Sequence, residues 1–329
     1  MADPYSLPNG TLHNKLGAKD AATLSRKEAH LTGGRLQLIE TEGPKGPFSF
    51  ERLKESHRYI FQDVYDWAGK SREIELSKEG SKFEARAMIE PRAKQIFGQL
   101  ARDKELRGLS REAFAEKAAD LMGAINQLHP FREGNGRAQR AFLSDLARDA
   151  GHELQFKVVS RERMIQASIE SSAGRPEMMR RLFSEISDPA RVAKLEKATA
   201  FLGRQGFDWN DRYVATTTPG QSYSGQLVGR AGDDFMMRTN REIFVGNAAD
   251  LPNGALKGDP ISFTAGGPQG TAAARELQAE KPPQPTPAAP DKAAQYAELE
   301  ARIRRTDQAE GRRQQIDKGR DKDDGGRER

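Results

Sequence analysis

Apolar side chains return at intervals of three and four through most of the first two hundred residues, and the pattern is cleanest between Ser110 and His129. Phe114, Ala118, Leu121, Ile125 and Leu128 fall on one stripe of a helix. Ser110 stands at the N-cap position and Glu112 in the first turn, where a carboxylate meets the positive end of the helix dipole. Pro130 disfavours helical geometry in the residue before it, so this helix is expected to end at His129. A second helix is expected from about Gly136 to Ala150, with Phe142, Leu146 and Ala150 inward and Gly151 as its terminator.

The period changes twice. Between Arg72 and Glu90, Ile74 and Leu76 alternate with Glu73 and Glu75, a polar turn contains Gly80, and Phe83, Ala85 and Ala87 alternate again, which predicts a short β-hairpin with an exposed edge. From about Asp208 the chain reads as five short strands, Tyr213–Thr217, Tyr223–Gly229, Asp234–Arg238, Glu242–Gly246 and Pro260–Ala265, which suit a small barrel of the OB type. The expected organisation is a helical domain over residues 1–200, a small all-β domain over 201–265, a Pro/Ala/Gly-rich linker over 266–292 and a charged tail over 293–329. The tail is expected to be helical to about Lys318 and disordered beyond it.

Composition narrows the chemistry. There are no cysteines, which removes disulfides, thiolate metal sites and cysteine nucleophiles. The net charge of +5 is a small difference between 53 basic and 48 acidic residues, so an anionic partner is permitted but not demanded. No apolar run approaches membrane-spanning length and the first twenty residues lack a signal-peptide pattern, so the chain reads as soluble and cytoplasmic, with no membrane partner.

The stretch LHPFREGNGRAQR, Leu128 to Arg140, concentrates the candidate chemistry. At the start of a helix the main-chain N–H groups lack partners and the dipole favours negative charge. Gly134 and Gly136, around Asn135, therefore make an anion cradle. Arg137 and Arg140, three residues apart on one face, can fork onto further phosphate oxygens. Glu133 would repel a bare triphosphate unless it held a hard cation such as Mg²⁺. His129 can accept a proton near neutral pH and activate a hydroxyl. The bland alternative is a solvated loop: a lone histidine before proline is usually a helix-end residue, and two arginines usually a wetted face.

The run His129-Pro-Phe131-Arg-Glu133-Gly134-Asn135-Gly136-Arg137-Ala-Gln-Arg140 resembles the Fic family signature HxFx(D/E)GNGRxxR at every specified position. Asn14-Lys-Leu-Gly17, Phe61-Gln-Asp-Val-Tyr-Asp-Trp-Ala-Gly-Lys70 with Arg72, and the hairpin resemble further family elements in the family's order, over roughly residues 5 to 190. The segment from Asp208 to Ala265 resembles the OB-like module of Fic effectors and toxins linked to type IV secretion or conjugation. The resemblance implies a mainly α Fic fold with a hairpin flap over residues 72–90, followed by the OB-like module, the linker and the tail. It implies transfer of AMP from Mg·ATP to a Tyr, Thr or Ser hydroxyl of a protein docked on the flap. His129 would be the general base, Glu133 the Mg²⁺ ligand, Gly134, Asn135 and Gly136 the anion hole, Arg137 the β-phosphate contact and Arg140 the γ-phosphate clamp. Phe131 would anchor the loop in the core, Arg132 would lie on the surface, and Phe61, Tyr65 and Trp67 would be core packing.

Many Fic enzymes are inhibited by a helix carrying [S/T]xxxE[G/N], whose glutamate pairs with the second motif arginine. The pattern occurs at Thr306, Glu310 and Gly311, so inhibition falls either to Glu310 or to a small separate antitoxin, with the tail then a charged segment or secretion signal. Two other functions remain open on the sequence: a Fic enzyme transferring UMP or phosphocholine, and a nucleic-acid-binding or conjugation component with vestigial catalysis. Delivery into a recipient cell by type IV secretion is the alternative to residence in the cytoplasm.

Overall fold

A computed structural model describes residues 3–78 and 81–266; Thr306, Glu310 and Gly311, with the linker from residue 267 and the tail, lie outside the described residues. The helices are α1 (Ala21–Glu42), α2 (Phe50–Phe61), α3 (Ile89–Arg102), α4 (Arg111–Leu128), α5 (Asn135–Asp149), α6 (Arg161–Ser172), α7 (Glu177–Ile186) and α8 (Pro189–Arg204). Among the described residues, no helix is long and apolar enough to cross a membrane.

Helix α4 is the axis of the helical part. Ser110 caps it by accepting from the Ala113 N–H, a contact worth about 1 kcal/mol. The expected stripe is buried, but so are Ala115, Ala119 and Met122 on the other side. An α4 stripe of one face understates it because α3, α5, α6 and α7 pack around it, and a helix so enclosed is apolar nearly all round. Helix α5 begins at Asn135, one residue before the expected start, and Gly151 after it takes φ 84°.

The hairpin is present but shorter than expected. Strands β1 (Ser77–Lys78) and β2 (Ser81–Lys82) pair antiparallel over two residues each. Ala85 and Ala87 are exposed, and Arg86–Met88 forms a 3-10 turn that runs into α3. Alternation of small alanines carries little strand preference, and Pro91 in the first turn of α3 is pre-set for a helix, so the second half of the expected strand is taken up by the helix start.

Five strands follow α8: β3 (Tyr213–Thr216), β4 (Ser222–Ala231), β5 (Asp234–Arg238), β6 (Glu242–Asn247) and β7 (Pro260–Thr264). Their order in the sheet is β3-β6-β5-β4-β7, with β3 parallel to β6 and the other pairs antiparallel. Strands β3, β5 and β6 are buried on both faces, while β7 and the first half of β4 keep one face exposed. Val214, Val228, Met236, Ile243 and Val245 join the core of the helices, while Tyr213, Leu227, Phe235, Met237, Phe244 and Phe263 form a second, smaller core. Packing is therefore continuous across residue 200, where composition alone suggests a boundary.

A buried ionic seam fastens the two parts. Arg163 on α6 and Glu185 on α7 are both fully buried and pair at 3.0 Å; the arginine also donates to the Val214 carbonyl at 3.1 Å. Glu185 accepts from the Thr216 N–H at 3.1 Å, and Arg181 pairs with Glu185 at 3.1 Å and donates to the Thr216 carbonyl at 2.7 Å. Burial alone would raise the Glu185 pKa, but the charges of Arg163 and Arg181 outweigh it and hold the carboxyl below its usual range.

Candidate active site

The loop between α4 and α5 is built by its own residues. Pro130 forbids continuation of α4, and His129 ends it in the left-handed region at φ 44°, ψ 60°, with its N–H still donating to the Ile125 carbonyl at 3.0 Å. Phe131, 1% exposed, plugs into the core. Asn135 closes the loop: its Oδ1 accepts from the Phe131 N–H at 2.9 Å and its Nδ2 donates to the Phe131 carbonyl at 2.7 Å. The Asn135 side chain is thus spent on the loop, and only its main-chain N–H is left for an anion. Gly134 is the N-cap of α5 at φ 82°, and a Cβ there would lie 2.2 Å from Phe61 Cζ, so both conformation and space require glycine. No side chain caps α5, which leaves its first N–H groups to whatever meets the helix end.

His57 is a residue the sequence analysis missed. It is fully buried, stacked on Phe131 at 3.9 Å and on Phe61 at 4.6 Å between ring centroids. The Gly69 N–H donates to Nδ1 at 2.9 Å, which leaves the proton on Nε2, and Nε2 donates to the Glu133 carbonyl at 2.9 Å. Burial, and then the charge of Arg137, push the imidazole pKa down to about 4, so the ring is neutral and holds the loop from below. The signal was available: Phe50, Leu53, His57 and Phe61 share the apolar stripe of α2, where a histidine must find internal partners.

Arg72 ties the flap to this loop. Its buried guanidinium donates to the His129 carbonyl at 2.8 Å, to the Ile74 carbonyl at 2.6 Å and to the Glu84 carbonyl, and its N–H donates to the Pro130 carbonyl at 2.7 Å. Both arms of the flap therefore meet at the residue carrying the candidate base. Phe83, on the second arm, stacks on the His129 ring at 3.7 Å. His129 Nδ1 lies 3.3 Å from the Asn126 carbonyl; a carbonyl only accepts, so this contact fits the tautomer with its proton on Nδ1.

His129, Gly136 and Arg140 come together on one cavity of about 680 Å³, with Asn126 and Phe83 beside them and Phe156, Val159, Met164, Ile165 and Ile169 as an apolar wall. Arg140 is partly buried, and among the described residues no carboxylate pairs with it; burial, and then Arg137, lower its pKa. Arg137 does not line the cavity. Its guanidinium pairs with Glu28 of α1 at 2.5 Å, lies 3.4 Å from Glu133 Oε1 and sits 4.6 Å over the Phe61 ring. Glu28 is buried and also accepts from the Tyr65 hydroxyl. Burial and that bond raise the Tyr65 pKa, so the phenol stays protonated. Glu133 Oε1 accepts from the Gly134 N–H at 2.9 Å. Phe61 and Tyr65 pack in the core as expected and Trp67 stacks on Tyr65 at 4.2 Å, while Arg132 pairs with Asp3 at 2.6 Å.

The profile described as Fic/DOC family matches residues 47–147. The protein adenylyltransferase VbhT of Bartonella schoenbuchensis is 43% identical over 195 residues, which cover 58% of this chain and 41% of that protein. A probable protein adenylyltransferase, y4lH, of Sinorhizobium fredii is 43% identical over 177 residues, 53% of this chain and 90% of that protein. The solved structure of the type IV secretion system effector protein BepA superposes with a TM-score of 0.75 at 32% identity, covering 81% of this chain and 97% of that one. The BepC protein of Bartonella tribocorum, solved with bound AMPPNP, superposes with a TM-score of 0.53 at 32% identity, over 56% of this chain and 96% of that one. The chain spans about half the length of the first curated relatives, 41% of VbhT and 52% of a protein adenylyltransferase of Bartonella henselae. Signature, helical fold, and relatives matched over nine-tenths of their length converge: the chain belongs to the Fic/DOC family.

Proposed function

We propose that the protein is a protein adenylyltransferase that moves AMP from Mg·ATP to a Tyr, Thr or Ser hydroxyl of a target protein. The observation that carries this reading is Arg140: a partly buried cation lining the cavity with no carboxylate partner among the described residues, beside a helix N-terminus that no side chain caps. An uncompensated charge in such a place is costly unless an anion joins it, and a polyphosphate supplies that anion. Relatives that bear the name adenylyltransferase, and one solved with a nucleotide analogue, support the same donor.

In this reading His129 Nε2 takes the proton of the target hydroxyl, whose oxygen forms the new bond to the α-phosphorus while the bond to the bridging oxygen breaks and pyrophosphate leaves. The N–H groups of Asn135 and Gly136 receive the α- and β-phosphates, that of Gly134 joins them once Glu133 Oε1 releases it, and Arg140 clamps the γ-phosphate. Arg137 reaches the β-phosphate only by sharing or leaving Glu28. Glu133 would hold Mg²⁺. Among the described residues no group of three or more His, Asp or Glu side chains is placed to hold a metal ion by itself, and one carboxylate with phosphate oxygens is a donor set that suits this ion. Bound there, the metal would neutralise charge on the phosphates. The flap over residues 72–90 would receive the target segment by strand addition, the five-stranded sheet would be the OB-like module, and inhibition would come from Glu310 or from an antitoxin. Translocation by type IV secretion fits the effector relative.

Incubation of the protein with ATP labelled at the α-phosphate, Mg²⁺ and a cell lysate tests this. Wild type should label a protein band, and His129→Ala should reduce labelling about 100-fold or more. A band that persists in His129→Ala overturns the mechanism.

A further inference from the structure

One cavity residue comes from beyond α8: Asn210, in the 3-10 turn Trp209–Asp211 that leads from α8 into β3. We propose that Asn210 reads the base of the bound nucleotide, so that the turn into the sheet completes the nucleotide site. The inference rests on the nucleotide reading of this cavity and adds a specificity residue to it.

The turn is held from three sides. Asp208 Oδ1 accepts from the Asn210 N–H at 3.0 Å, Asp211 pairs with Arg161 of α6, and Trp209 packs against the helical core. The seam of Arg163 and Glu185 fastens β3, three residues further on, to α6 and α7. The main chain at Asn210 is thus fixed relative to α6, while among the described residues no hydrogen bond engages its side-chain amide.

The lining of the cavity divides by chemistry. His129, Gly136 and Arg140 form the part suited to phosphates, and Phe156, Val159, Met164, Ile165 and Ile169 offer the apolar surface that the flat faces of a base require. The edge of the base still needs polar partners. Ser160 is occupied in accepting from the Arg163 N–H at 3.2 Å, and Arg161 is occupied by Asp211. Ser168 and Ser172 also line the cavity, but a hydroxyl offers one short donor and no paired donor and acceptor; of the two carboxamides in the lining, Asn126 lies one turn before His129, beside the phosphate groups, which leaves Asn210 as the carboxamide for the base. A carboxamide presents a donor and an acceptor side by side. It matches the N6 donor and N7 acceptor of adenine, whereas guanine offers two acceptors on that edge and leaves the amide oxygen unpaired. Asn210 should therefore favour adenine.

Calorimetric titration of the full chain with ATP, GTP and inorganic tripolyphosphate, in wild type, Asn210→Ala and Asn210→Asp, decides the matter. Both variants should weaken ATP about tenfold while GTP and tripolyphosphate change less than about twofold, so the preference for ATP collapses. Asn210 is exposed, and an unchanged melting temperature would show that the fold is intact. If wild type binds ATP and both variants keep the same ATP to GTP ratio, the assignment of Asn210 is wrong while the nucleotide reading stands. If wild type binds neither ATP nor tripolyphosphate, both are wrong.

Discussion

Arg140 and Arg163 are both withdrawn from water, and the molecule treats them in opposite ways. At the seam, Arg163 has a fully buried carboxylate at 3.0 Å and a strand carbonyl at 3.1 Å. At the cavity, Arg140 has no carboxylate partner among the described residues, and its neighbour Arg137 only adds like charge. A charge compensated inside the chain is part of the structure; a charge left to be compensated belongs to the ligand. A weaker form of the division separates Glu185, buried and fully engaged, from Glu133, which is half exposed and held, among the described residues, only by the Gly134 N–H and a 3.4 Å approach of Arg137.

Removing one half of the seam should give the largest effect. Arg163→Ala leaves Glu185 buried beside only Arg181, and the loss should be about 3–5 kcal/mol, read as a shift of the chemical denaturation midpoint. A loss under about 1 kcal/mol would mean that the seam carries no more than a surface pair.

Next in size is the pH response of the loop. His57 is depressed to about 4 in the folded chain against 6.5 unfolded, so its contribution is fully present above 6.5 and is lost as pH falls towards 4. The stability difference between wild type and His57→Phe should shrink by about 3 kcal/mol between pH 7 and pH 4. Denaturation curves at both pH values measure it, and parallel profiles for the two proteins would show that His57 is not held neutral.

The smallest effect on the fold is expected where the charge is uncompensated. Arg140→Ala should leave the melting temperature unchanged or raised, because it removes a buried cation without orphaning a carboxylate, while ATP affinity falls about 10- to 100-fold. If Arg140→Ala destabilises the chain as Arg163→Ala does, the contrast between the two sites disappears.

Local signals carried further at the motif than at the flap. Ser110, Pro130, Gly134 and Gly151 punctuate helices through rules that act within a few residues, and each stands where its backbone chemistry requires. At the flap, the alternation ending in Ala85 and Ala87 suggested a strand, yet pairing stops at Lys82 and the chain turns through Arg86–Met88 into α3 at Ile89. The strands after Tyr213 were legible from their β-branched and aromatic runs. That their second face closes the core of the helices was not, since a strand buried on both faces has the same local signature whatever covers it.

By itself, the sequence determined which residues can do chemistry here: a histidine before proline, a glycine-flanked helix start, and arginines three apart are consequences of bonds and periodicity within one short stretch. Only the tertiary structure decided how each is employed. It placed Asn135 on the loop and not on the cavity, gave Arg137 to Glu28 while leaving Arg140 without a carboxylate among the described residues, set His57 beneath the loop and brought Asn210 from the far side of α8 to the cavity wall. The reason is physical: burial and pairing depend on what arrives from distant parts of the chain, and a residue's charge, tautomer and free hydrogen bonds are settled only when those neighbours are in place.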